Sequence, residues 1–324
     1  MTNYPVAPLS FEGLHTYSLH DRHSKVSVAD FAAPMKEDMT LKEWLHALPQ
    51  QLAGKDFPDL IARLAKAHRE GRPILIGMGA HVIKVGLNPI LIDLMRRGLI
   101  AGLALNGAGI IHDAELAMVG RTSEEVGDVI GSGAFGAAKE TGEVLNAAIS
   151  AGVAKGMGIG QAVGEMLCEK AFPFNEQSLL ASAASLGIPV TVHVAMGTDI
   201  IHIHPSADGA AIGQASLHDF RVFCRLVSQL EGGAYLNIGS AVLLPEVFLK
   251  ALTVVRNLGY TVRHLTTANF DFIRHYRPAV NVVQRPTLDG GKGFQFTGHH
   301  ELLLPLLAAS LLDELAQGPE AGGA

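Results

Sequence analysis

The chain has 324 residues, 48% of them hydrophobic, with a formal net charge of −6. That length can bury a large core in one α/β domain or two smaller ones, and the acidic balance lacks the basic stripe of a nucleic-acid binder. Cys168 and Cys224 form no CxxC pair, no apolar run reaches the roughly 18 residues of a membrane span, and Met1 to Ser10 has no signal-like core. The expectation is a cytoplasmic protein with two buried thiols and no contact with nucleic acid or membrane.

Residues 1–39 are polar and irregular, broken by Pro5, Pro8 and Pro34. Asp38 to Thr40 offers a cap for a helix from about Leu41, whose Leu41, Trp44, Leu45 and Leu48 share one face. A second helix is predicted from about Asp56 to Glu70. Pro73 to Met78 then reads as a buried strand, broken by Gly79-Ala80-His81. Asn88 to Arg97 has helical apolar spacing and meets Gly98 where a helix stops. Leu99 to Leu105 is apolar again and ends in Asn106-Gly-Ala-Gly109, which completes a βαβ unit with permissive turns after both strands. Gly127 to Gly136 is glycine-rich, and helical patterns cover residues 137–160, 161–171 and 176–186. Ile188 to Val194 alternates like a strand. Helices are predicted at 216–230, 246–258 and 301–314, strands at 234–238, 261–267 and 279–283, and a frayed tail after Gln317. The alternation predicts an α/β fold with a doubly wound, mostly parallel Rossmann-like sheet. Residues 1–72 would form a helical N-terminal extension packed on the main domain, and 73–324 the Rossmann-like domain.

In open α/β sheets a nucleotide meets bare backbone at the turns after the strands, so the turns at 77–80 and 106–109 are the candidates. Gly131-Ser-Gly-Ala-Phe-Gly136 is a literal GxGxxG, but a charged, helix-like segment precedes it instead of a strand, so it reads as a helix–helix turn. Ile201-His-Ile-His204 would place two imidazoles on one face of an extended segment. With His193, His202 and His204 could bind zinc, with Asp199 and Asp208 on nearby loops; the plain alternative is histidines orienting a substrate or packed under a loop. Asp208-Gly209 is either an ordinary turn or an acceptor for a ribose hydroxyl or an ammonium. Lys292 lies in the Asp289-Gly-Gly-Lys-Gly293 loop, as a surface lysine or a nucleophile of lowered pKa, with His299 and His300 able to approach it.

In order and interval, these pieces resemble the deoxyhypusine synthase family from about Ile74 to Leu307. The matching segments are Leu75-Ile-Gly-Met-Gly-Ala-His81 to Gly86-Leu87, Arg97-Gly-Leu99 to Asn106-Gly-Ala-Gly-Ile-Ile-His-Asp113, Ile188-Pro-Val190, Pro205-Ser-Ala-Asp-Gly209, Gly239-Ser240, Arg285-Pro286 and Leu304-Pro-Leu-Leu307. The resemblance implies an NAD-binding homotetramer that moves an aminobutyl group from a polyamine through a lysine imine. It would put the cofactor against Gly79, Ala80, His81, Asn106, Gly107, Ala108, Asp208, Gly239 and Ser240. Lys292 would be the imine nucleophile, His202 or His204 the acid–base, and Asp289, Glu301 and His299 the contacts of a small-molecule amine. The sequence departs from the family where a tryptophan should precede the lysine and a histidine should follow the Gly239 turn. Residues 191–204 also look inserted. The reading is therefore a deoxyhypusine synthase-like, NAD-dependent transferase of a small amine or polyamine, not a modifier of a translation factor. The alternatives are a metal-dependent hydrolase or lyase using His193, His202 and His204, and a non-catalytic nucleotide-binding oligomer.

Overall fold

A computed structural model of the protein describes residues 6–317, which leaves the tail beyond Gln317 outside the described residues. Helices α1 (Leu41–Ala47) and α2 (Leu52–Arg69) precede strand β1 (Ile74–Met78), and α3 (His81–Lys84) and α4 (Asn88–Arg96) lead to β2 (Gly102–Asn106). Between β2 and β3 (Val190–His193) the chain inserts α5 (Gly107–Val119), α6 (Val126–Val129), α7 (Lys139–Ala154), α8 (Ile159–Lys170) and α9 (Leu179–Leu186). Then follow α10 (Gly209–Val227), β4 (Ala234–Ile238), α11 (Leu243–Asn257), β5 (Thr266–Asp271), α12 (Tyr276–Pro278), β6 (Lys292–Thr297) and α13 (His300–Ala316).

The six strands pair in the order β3-β2-β1-β4-β5-β6, all parallel. The order reverses direction between β1 and β4, which makes that gap the topological switch point of a Rossmann-like sheet. Alternation within the strands sorts two cores. Ile76, Met78, Leu103, Leu236, Phe270 and Phe296 join the core under α2, α4 and α13, whereas Leu75, Ala104 and Tyr235 face Phe223 of α10 and Phe248 of α11. Tyr235 stacks on Phe248 with ring centroids 3.9 Å apart. Its hydroxyl fits only because Gly77 carries no Cβ, which would lie 2.1 Å away.

Several local expectations are revised. The strand expected at 279–283 is a π-helix, Ala279–Gln284, because Val282 packs into the α11 core while Asn281 donates to Glu246 at 2.9 Å. The fifth strand lies at 266–271 instead of 261–267, and Lys292 opens a strand, β6, instead of sitting in a flexible loop. Phe294 and Phe296 give that strand its buried face. The thiols are not buried: Cys168 is exposed and Cys224 half-buried. No helix among the described residues is long and apolar enough to cross a membrane.

Candidate functional site

Because all six strands are parallel, every turn that follows one emerges on the same edge of the sheet. At the switch point the turns after β1 and β4 meet as bare backbone. Gly79 N donates to Ile238 O at 2.9 Å, and a Cβ on Gly79 would stand 2.3 Å from Gly239 O. Gly239 has φ +65°, and a Cβ there would lie 2.7 Å from the His300 ring. Below these turns, Asn237 Nδ2 donates to Ser240 O at 2.9 Å and to Asn269 Oδ1 at 2.6 Å. Asn269 donates in turn to Gln295 at 3.2 Å. These amides stand in register on β4, β5 and β6 and hold the edge rigid from beneath.

Beside the glycines lies an aromatic and histidine cluster, with His81 from the turn after β1 and the rest from the turns after β5 and β6. His81 meets Phe272 edge-on at 4.9 Å between centroids, and His300 lies 4.5 Å from Phe272 and 5.6 Å from His81. His300 Nε2 donates to Phe270 O at 3.2 Å, which leaves Nδ1 as a buried lone pair with no protein partner. Burial lowers its pKa, which favours the neutral imidazole. His299 reaches Glu301 at 3.5 Å on the rim of the same cluster.

The turn after β2 carries the second half of the edge. Asn106 caps α5 by accepting from Gly109 N at 3.1 Å. Asp199, from the loop after β3, lies over the amino end of that helix and accepts from the Ala108 amide. A Cβ on Gly107 would stand 2.1 Å from Asp199 Oδ2, so the carboxylate occupies space that only glycine leaves open. This is the ordinary attraction of an anion to a helix amino terminus. Desolvation nevertheless raises the Asp199 pKa, and its Oδ2 is buried with no hydrogen-bond partner.

Next to this point opens a cavity of about 600 Å³ lined by Lys84, Ala108, His112, Glu115, Arg121 and Asp199, among others. Ala108, His112 and Glu115 follow at i, i+4 and i+7 and share one face of α5. His112 Nδ1 lies 2.6 Å from Thr122 Oγ1, which donates to Glu115 Oε2 at 2.5 Å; Thr141 donates to the other carboxylate oxygen at 2.9 Å. Desolvation lowers the His112 pKa; Glu115 opposes that effect and Lys84 adds to it.

Glycines 79, 107 and 239, Ala80, His81, Asn106, Ala108 and Ser240 thus all stand on this edge, with His299 and Glu301 beside them. Asp208 shares the loop after β3, but it caps α10, accepting from Ala210 N at 2.9 Å and Ala211 N at 3.1 Å. Lys292 and Asp289 are not brought here. Lys292 begins β6 and pairs with Thr266, so it stands at the amino edge of the sheet, about 17–20 Å of strand away. Its Nζ lies 5.4 Å from the Phe294 ring, and Asp289 is exposed in the turn before it.

The zinc expectation is corrected: among the described residues no group of three His, Cys, Asp or Glu could hold a metal ion. His193 is a core residue whose Nε2 pairs with Thr191 Oγ1 at 3.1 Å and whose ring meets Phe223; burial lowers its pKa to about 4. Residues 200–203 form a 3₁₀ turn instead of an extended segment, so side chains two apart diverge. His202 Nδ1 accepts from Gly197 N at 3.1 Å, whereas His204 Nε2 donates to Gly136 O at 2.9 Å. The GxGxxG at 131–136 connects α6 to α7, as its context predicts.

The sequence reading assigned no role to Lys84, His112, Glu115 or Thr122. The i, i+4, i+7 spacing on α5 was legible, but Thr122 and Asp199 come from separate loops that only the fold brings together.

No family model matches the chain, and no curated protein matches it. Among solved structures it is similar to AgrE in its ternary complex with ornithine and NAD+, at 14% identity and a TM-score of 0.52. That alignment covers 81% of this chain and 33% of the other, so the chain spans about a third of AgrE. It is similar to a LOR/SDH-assigned protein of Methanococcus maripaludis S2 at 14% identity and TM-score 0.52, covering 90% of this chain and 75% of that one. A deoxyhypusine synthase-assigned protein of Entamoeba histolytica aligns over 87% of this chain and 96% of its own at 11% identity. Its TM-score of 0.48 is too low to bear on this chain. At these identities the likeness concerns the fold alone, a parallel Rossmann-like sheet flanked by helices.

Proposed function

We propose that the chain is an NAD-dependent enzyme that acts on a small amine at the carboxyl edge of its sheet. The observation that carries this is the convergence of the Gly79, Asn106–Ala108 and Gly239 turns on one edge, with the amino end of α5 pointing into it. The site suits a dinucleotide in kind, because that helix end already accommodates an anionic oxygen of the chain, the Asp199 carboxylate, against bare glycine. NAD is a component of the AgrE complex that shares this fold. When bound, the nicotinamide would supply hydride transfer. The turns at 79–80, 106–108 and 239–240 would line its phosphates and riboses with backbone, and Asn106 would keep the α5 amides in position. His81 and His300 would wall the nicotinamide end with aromatic surface.

A lysine imine formed on Lys292 forms no part of this reading, since that side chain stands on the opposite edge. Calorimetry with NAD tests the proposal. Micromolar binding that weakens at least about tenfold in Asn106→Ala supports it, since that variant loses the cap that aims the α5 amides. No heat up to millimolar NAD overturns it. Binding without NADH formation across a panel of amines and amino acids would favour the nucleotide-sensing oligomer.

A further inference from the structure

The cavity beside α5 holds a hydrogen-bond relay outside the turns proposed for the cofactor. An ionised Glu115 can only accept, so it receives the protons of Thr122 and Thr141. With its own proton committed to Glu115, the Thr122 oxygen can act toward His112 only as an acceptor. His112 therefore carries its proton on Nδ1, and Nε2 keeps the lone pair. Nε2 makes no hydrogen bond within the protein and is not among the buried unpartnered atoms, so it stays open to a ligand. The arrangement is that of a base oriented by a carboxylate through an intervening hydroxyl.

The rest of the lining carries charge of both signs. Asp199 lines the cavity one helical turn along α5 from His112, its carboxylate held by the Ala108 amide and the Thr198 hydroxyl. Lys84 and Arg121 line the same cavity and enter no ion pair among the described residues. Glu124 is taken up by the Gly136 amide at 2.7 Å. A ligand complementary in charge to all three would turn an ammonium toward the Asp199 side and a carboxylate toward the two cations.

We infer that this cavity binds a small aminocarboxylate, with His112 Nε2 accepting a hydrogen bond from the ligand's ammonium and Thr122 and Glu115 as positioning residues. The contact is a hydrogen bond: an ammonium N–H donates to the Nε2 lone pair, no covalent bond changes, and the ligand keeps its charge. Low pH would protonate Nε2 in advance and block the acceptor. The inference deepens the amine reading above, yet it concerns binding that needs no cofactor.

Three matched probes test it on the full chain without NAD: 5-aminovalerate, 1,5-diaminopentane and valerate. By NMR titration, 5-aminovalerate should bind at least about tenfold more tightly than either single-charge probe and shift the His112 ring resonances, with nitrogen shifts reporting an Nδ1–H tautomer in the free protein. Thr122→Val should lose the tautomer bias, and Lys84→Ala, at an exposed position, should weaken 5-aminovalerate about tenfold while leaving diaminopentane unchanged. Equal binding of the three probes, an unmoved His112 resonance at saturation, or an Nε2–H tautomer would overturn it. Because NAD is absent, these outcomes separate its failure from failure of the cofactor reading.

Discussion

Gly107 is where one methyl group would be felt most directly at the site. Its Cβ would stand 2.1 Å from Asp199 Oδ2, so Gly107→Ala must push the carboxylate off the α5 amino terminus. We expect a loss of about 1–3 kcal/mol in urea unfolding, from overpacking and the lost anion–helix contact together. An unchanged midpoint would show that the Asp199 loop is free to move. Lys292 gives the opposite expectation. Its side chain is exposed above Phe294, so Lys292→Ala should keep NAD affinity and turnover and change stability by no more than about 0.5 kcal/mol. Loss of turnover in that variant, with folding intact, would restore it to the chemistry. His112 and Lys292 show the limit of reading single residues: each is a plausible reactive group, and position on the sheet separates them.

At the scale of elements, two buried carboxylates fasten helices, one binding helices to each other and one binding them to the sheet. Asp113 on α5 accepts from Ser178 Oγ at 2.5 Å, Asn88 Nδ2 at 3.0 Å and the Leu179 and Leu180 amides at 2.8 and 3.0 Å, which ties α4, α5 and the start of α9 together. Asp219 on α10 accepts from Gly160 N at 3.0 Å and Val192 N at 2.8 Å, which joins α8 to β3. Desolvation pushes the Asp219 pKa up to about 7. Between pH 4 and 7 the folded chain therefore holds a proton that the unfolded chain has released, and stability falls as pH rises through that window. Relative to Asp219→Asn, the wild type should gain up to about 3–4 kcal/mol on going from pH 7.5 to 4.5. His193, lowered to about 4, pulls the other way in both proteins, so it cancels in the difference. A flat difference in urea midpoints across that range would show that Asp219 stays ionised.

The whole molecule presents a two-sided sheet with chemistry on one edge and an amino-terminal arm that is largely uncovered. Val6, Leu9, Phe11, Leu14 and Tyr17 are each more than 70% exposed, an apolar strip of the sort that marks a protein–protein contact. Light scattering should accordingly report a homo-oligomer whose order falls when residues 1–35 are removed. A monomer for the full chain would assign that strip to another partner. Strand order places the Lys84–His112–Asp199 cavity on the edge that also holds His81 and His300, so a cofactor and an aminocarboxylate could be handled side by side.

The sequence by itself determined the Rossmann-like class and the turns that face the site. Buried parallel strands read as continuous apolar runs such as Ile74–Met78, and glycines mark where bare backbone is needed. It also carried the short-range signals: the Thr40 cap, the stop at Gly98, and the helix–helix setting of the 131–136 glycines. Only the tertiary structure decided which charged residues share a site. Lys292 and His300 lie eight residues apart on one β-strand and helix yet emerge at opposite edges, because a strand adds about 3.3 Å per residue in a fixed direction. Thr122, Glu115 and Asp199 are joined by no sequence period. They line one cavity because loops from two different crossovers fold along α5, Asp199 over its amino end and Thr122 beyond its carboxyl end, a closeness that depends on long-range packing and leaves no mark in local spacing.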